Sequence, residues 1–110
     1  MATQDISSKP ILVTGCSSGI GRATAVHLAA RRHLVYASAR RPESIADLER
    51  EGCRLLALDV TDETSRQEAV ATIEAEHGAV GALVNNAGYS QSGAVETVPL
   101  DEVRRQFETN

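Results

Sequence analysis

Four short apolar runs divide the chain: "ILVTG" at 11–15, "LVYASA" at 34–39, "RLLALDV" at 54–60 and "ALVNNAG" at 82–88. Each is too short for a buried helix, rich in aliphatic residues and bounded by polar or glycine-containing sequence, and so predicts a strand. The intervening segments carry helix punctuation. One runs over 19–32. A second, over 42–51, has Pro42 in its first turn and Gly52 as its stop. A third, over 62–77, stops at Gly78. Ile45 and Leu48 share one face of the second helix, and Val70, Ile73 and His77 form the apolar stripe expected of the third. A last helix is predicted over 100–110, where Leu100, Val103, Phe107 and Asn110 recur on one side after Pro99. Strands alternating with helices imply right-handed βαβ units and a parallel sheet.

Composition narrows the class without naming it. The chain has 110 residues, enough for one domain, of which residues 1–9 read as a tail and 10–110 as the folded part. Aromatics are 3% of the chain, so Ala, Val, Leu and Ile must build the core. The net charge of −4, with Lys and Arg nowhere in longer runs than pairs such as Arg31-Arg32, disfavours nucleic acid. No stretch reaches the ~18 apolar residues of a membrane span, and the first ten residues lack a signal-peptide pattern. Cys16 and Cys53 lack metal-site or disulfide-framework spacing, which points to no metal and to the reducing cytoplasm.

The most informative stretch is "TGCSSGIG" at 14–21, where a strand passes at once into a helix. Such a junction presents unpaired backbone N–H groups and the positive end of the helix dipole, and so attracts an anion. Among Gly15, Gly19 and Gly21, some must let a diphosphate approach the backbone and one must let the helix pack tightly on the strand. A merely tight turn is the bland alternative. No G-K-[ST] follows, which argues against a P-loop nucleotidase.

Taken with "NNAG" at 85–88, this T-G-x-x-x-G-x-G pattern resembles the short-chain dehydrogenase/reductase family. The three-residue gap between Gly15 and Gly19 is similar to that of its classical branch. "LDV" at 58–60 and "FETN" at 107–110 fall, in order, where the family carries further landmarks. The resemblance implies a Rossmann-like, doubly wound parallel sheet with strand order 3-2-1-4 over this part. It also implies an oxidoreductase moving hydride between a nicotinamide cofactor and a small-molecule carbonyl or secondary alcohol.

The same resemblance distributes roles. Gly15, Cys16, Ser17, Ser18 and Gly19 would surround the diphosphate and adenosine ribose, Ile20 would approach the nicotinamide side, and Gly21 completes the turn. Cys16 reads equally as a small residue in a crowded turn, and Arg22 as a solvent-facing one. Asp59 would accept the adenine amine and the Val60 backbone would complete that edge; a helix-capping role for Asp59 is the alternative. Asn86, Ala87 and Gly88 would lie along the ribose, while Asn85 is expected to tie neighbouring strands together. By their own composition, the Gly, Ser and Gln of the loop over 88–99 suit a site rim, and Tyr89 within it reads equally as lining a substrate mouth or as a packing residue. Asn110 is the catalytic candidate, supporting a water of the proton relay through its main chain.

Cofactor preference is read at the end of the second strand. Ala39 stands where NAD-using relatives carry an acid, and Arg40 follows, able to grip a 2′-phosphate, so NADP(H) is favoured. Arg40 could instead be solvated or paired with Glu43. The family's Tyr-x-x-x-Lys pair is missing, since Lys9 is the only lysine. The chain is therefore expected to be the cofactor-binding half of an enzyme, with a homo-oligomer open to the full-length protein. A non-catalytic NADP(H)-binding module and an inactive truncated product are the rival readings.

Overall fold

The apolar runs pair side by side into one parallel sheet. A computed structural model describes residues 9–88 and 97–110; most of the expected tail, Tyr89 and the middle of the rim loop lie outside the described residues. The strands are β1 (Ile11–Val13), β2 (Val35–Ala39), β3 (Arg54–Ala57) and β4 (Ala82–Val84), hydrogen-bonded in the order β3-β2-β1-β4. All three pairings are parallel, with Leu12 opposite Tyr36 and Leu83, and Ala37 opposite Leu55. Helix α1 (Gly19–Ala30) joins β1 to β2, α2 (Glu63–His77) joins β3 to β4, and α3 (Leu100–Thr109) follows β4. The fold is a Rossmann-like α/β sheet.

Side chains alternate across a strand, so each apolar run feeds two cores. Val13, Val35, Ala37 and Ala39 face one side, where they meet Ala25 of α1 together with Ile45, Leu48 and Cys53. Leu12 and Tyr36 face the other, against Leu58 and the α2 residues Ala69 and Ile73. All five residues of β2 are buried, because it is interior in the sheet and covered on both faces. Fully buried Ile45, Leu48 and Ile73 each contribute about 1.5–3 kcal/mol. At the β4 side of the sheet Leu83 is 57% exposed.

Three local expectations change. The segment after β2 is a 3-10 helix over Pro42–Glu49 with a kink at Ile45, rather than a regular α-helix, although its two apolar residues still point into the core. On α2 the buried stripe is Ala69 and Ile73, four apart, while Val70 is exposed; one residue turns the helix by about 100°, enough to carry Val70 off that face. Arg22, expected to face solvent, is partly exposed and has a partner as well. Its guanidinium pairs with Asp47, tying α1 to the 3-10 helix.

The beginnings of β2 and β3 and the end of α2 are joined by a polar cluster. The Tyr36 hydroxyl is 2.9 Å from both Glu76 Oε2 and His77 Nε2, and Arg54 Nη1 donates to Glu76 Oε2 at 2.9 Å. His77 thus has a core-edge role, on the sheet edge opposite the glycine turn.

Candidate functional site

At the carboxyl ends of the strands the chain leaves a cleft of about 1470 Å³. Its floor is the β1–α1 turn, where the three glycines have separate tasks. Gly15 has φ +68° and lies so near Ala87 that a Cβ would sit 2.9 Å from the Ala87 Cα. Gly21 is the packing glycine: a Cβ there would meet the Gly15 carbonyl oxygen at 2.3 Å. Gly19 has φ +61°, and a Cβ there would meet nothing within 4 Å. That open space belongs to the cleft, whose lining includes Gly15, Ser17, Ser18, Gly19 and Ile20.

Helix α1 therefore begins in the cleft. Ser18 is its N-cap, yet makes no side-chain cap bond, and the first turn holds no acid to offset the dipole. Ile20 is 76% exposed at this helix start, an apolar surface on the cleft lining. Cys16 and Gly21 lie beneath the lining. The Cys16 thiol is fully buried and donates to the Val13 carbonyl at 3.3 Å, and burial pushes its pKa up, which leaves it inert rather than nucleophilic.

The β4 end is sewn to the β1 end by Thr14 and Asn86. The buried Thr14 hydroxyl accepts from the Asn86 and Ala87 N–H groups, both at 2.9 Å, and donates to the Val84 carbonyl at 3.4 Å. Asn86 Nδ2 donates to the Thr14 and Gly15 carbonyls at 3.3 and 3.2 Å. The tie expected of Asn85 is thus made by Asn86. Successive residues leaving a strand point opposite ways, and it is Asn86 that turns toward β1, while Asn85 lines a smaller groove of about 350 Å³ beside α2 and α3. Asn86, Ala87 and Gly88 all line the large cleft. Asn110 comes against Gly88: a Cβ at Gly88 would sit 2.8 Å from Asn110 Oδ1.

Arg40 and Arg41 line the cleft at the end of β2, with Ser44 beside them. Among the described residues Arg40 makes no ion pair with Glu43. Asp59 and Val60 line the cleft after β3. The capping alternative for Asp59 falls to Asp62, whose Oδ1 accepts from the Thr64 N–H at 3.1 Å. Asp59 Oδ1 instead accepts from the Thr61 hydroxyl at 2.7 Å and the Thr61 N–H at 3.0 Å, and these bonds, with Arg40's charge, hold its pKa below the usual carboxylate value. From α3, Arg105 and Thr109 reach the same lining.

Thr14, Ser44, Thr61, Arg105 and Thr109 line the cleft or tie it together, and none had been given a side-chain role in the cleft from the sequence. Thr14, a polar residue between Val13 and Gly15, and the Asp-x-Thr spacing of 59–61 are readable signals of local tying; Arg105 and Thr109, four apart on a helix, needed the fold. Three arginines and one carboxylate line the cleft among its described residues, in a chain of net charge −4. That imbalance, with a bare helix start, suits an anionic ligand. Among the described residues no His, Cys, Asp or Glu cluster is arranged to hold a metal, and no helix is long and apolar enough to cross a membrane.

A doubly wound sheet with a glycine turn at its carboxyl edge is the architecture of dinucleotide-binding α/β proteins. The chain belongs to the short chain dehydrogenase family, whose family model matches residues 9–110. It is 42% identical over 101 residues to the 3-ketodihydrosphingosine reductase of Bacteroides thetaiotaomicron, covering 91% of this chain and 36% of that protein. In structure it is similar to a short-chain dehydrogenase from Streptomyces avermitilis, with a TM-score of 0.85 and 41% identity over 92% of this chain and 38% of the other. It is also similar to a metagenomic short-chain oxidoreductase in complex with NADP, with a TM-score of 0.86 and 29% identity over 94% of this chain and 50% of that one. The chain spans half or less of each relative's length. The family is one of oxidoreductases that act on small molecules.

Proposed function

We propose that this chain carries the NADP(H)-binding part of an oxidoreductase acting on a carbonyl or secondary alcohol. The observation that carries the reading is Arg40, exposed on the cleft lining at the end of β2, with buried Ala39 before it in place of an acid. The cleft suits a dinucleotide: Gly19 leaves room for a diphosphate, Ser17 and Ser18 line the cleft at the start of α1, where a helix leaves N–H groups unpaired, and Arg40 offers charge-assisted bonds to a 2′-phosphate. The nicotinamide, when bound, supplies the carbon that gives or takes hydride. This chain's residues bind and orient it. Asn110, held against Gly88, supports a proton-relay water, while the family's Tyr-x-x-x-Lys pair is not among these 110 residues.

The resemblance to a 3-ketodihydrosphingosine reductase and to an NADP complex supports the same reading. A cytoplasmic setting agrees with two free, buried cysteines. Because no tyrosine–lysine pair is present, the chain by itself is read as holding NADP(H) without turnover. The test is a fluorescence titration with NADPH and NADH. NADPH should bind about tenfold or more tightly, the worth of one charge-assisted hydrogen bond, and Arg40→Asp should reverse the order. Equal affinities in the unmutated protein would refute the preference.

A further inference from the structure

Asp59 is the carboxylate lining the cleft among the described residues, and a closed set of bonds holds it. Its N–H donates to Ser65 Oγ at 2.9 Å in the first turn of α2. Its Oδ1 takes both Thr61 bonds, at 2.7 and 3.0 Å. Its Oδ2 receives no hydrogen bond from the described residues. Arg40's charge reaches Asp59, yet no ion pair joins the two. An aspartate χ2 has a broad, two-fold preference, so an untied carboxylate beside a cation would turn toward it.

We propose that Thr61 is a positioning residue for base recognition: by occupying Oδ1 it fixes the Asp59 carboxylate so that Oδ2 stands in the cleft as an acceptor. An ionised carboxylate can only accept, so the favoured dinucleotide carries an amine donor on its base, and one with a carbonyl oxygen there is repelled. The same bonds keep Asp59 from engaging Arg40, leaving that cation for a phosphate. The inference rests on the dinucleotide reading of the cleft.

The probes are NADPH and its hypoxanthine counterpart, in which a carbonyl oxygen replaces the amine, titrated by fluorescence against the whole chain. The unmutated protein should favour the adenine form about tenfold or more. Thr61→Val, which keeps the shape and the N–H but removes the hydroxyl, should bring the ratio toward one, and Thr61→Ser should restore it. Without any dinucleotide, a carbon-13 titration of the Asp59 carboxyl should show its pKa rising in Thr61→Val. Should that variant not fold, Thr61→Ala, which leaves the Asp62 cap in place, takes its part in both measurements. An unchanged ratio in the folded variant overturns the proposal, as does equal, tight binding of both forms by the unmutated chain. Failure of the cofactor reading has a different signature, since neither form would bind, and that result overturns both.

Discussion

Gly21→Ala offers the sharpest test of how the turn is built. A Cβ at this position would stand 2.3 Å from the Gly15 carbonyl oxygen and 2.4 Å from Asn86 Nδ2. The first is backbone and cannot rotate away, so α1 must lift or the turn must move. Overpacking of this severity belongs at the upper end of the usual range, about 3 kcal/mol. Displacing Asn86 also weakens its bonds to the Thr14 and Gly15 carbonyls, about 1 kcal/mol each. Alanine's better helix propensity returns about 1 kcal/mol. The net loss of about 3–4 kcal/mol should lower Tm by at least about 12 °C in a domain of this size. Thermal melts by circular dichroism measure it, with Gly19→Ala as the control. That variant adds a Cβ with nothing within 4 Å and bears only the left-handed backbone cost, about 1–2 kcal/mol. A Gly21→Ala protein that melts at or above the parent temperature would show that the close packing of α1 on the turn is not what requires glycine there.

Three further outcomes concern the body of the fold. Tyr36→Phe removes a hydroxyl that contacts Glu76 and His77 at 2.9 Å, and should cost about 1 kcal/mol in a denaturant midpoint. NADPH affinity should be unchanged, because the cluster lies at the opposite edge of the sheet; an affinity loss would mean that the two edges are coupled. Cys16 and Cys53 have thiol pKa values raised by burial, so both should resist a thiol reagent in the native chain and react on unfolding. The unfolded chain then releases these protons first, and stability is full below the ordinary thiol range and falls as pH rises through it. Tyr36, also raised by burial, adds a loss of the same sign at higher pH. Denaturant midpoints that hold steady across that range would contradict the burial.

Much of this architecture is written locally. Short aliphatic runs, Pro42, Gly52 and Gly78 mark where elements start and stop, since propensity and turn chemistry act over a few residues. The Thr14–Gly21 turn announces an anion site for the same reason, and Arg40 is legible because it ends a strand. Tertiary structure alone decided the rest. Unbroken apolar strands do not say which side chain faces which helix, and only packing sorted Val13 from Leu12 and Ala69 from Val70. Between two adjacent asparagines, composition offers no choice; the direction in which β4 leaves the sheet handed the tie to Asn86. Arg22 found Asp47 across 25 residues of chain, and Thr14 found Asn86 across 72. Arg40, Asp59 and Arg105 share one cleft because the ends of β2 and β3 and the body of α3 meet there. Local sequence sets conformation through short-range sterics and hydrogen bonds, whereas these partners are fixed by the order in which strands pair and by the faces left to meet.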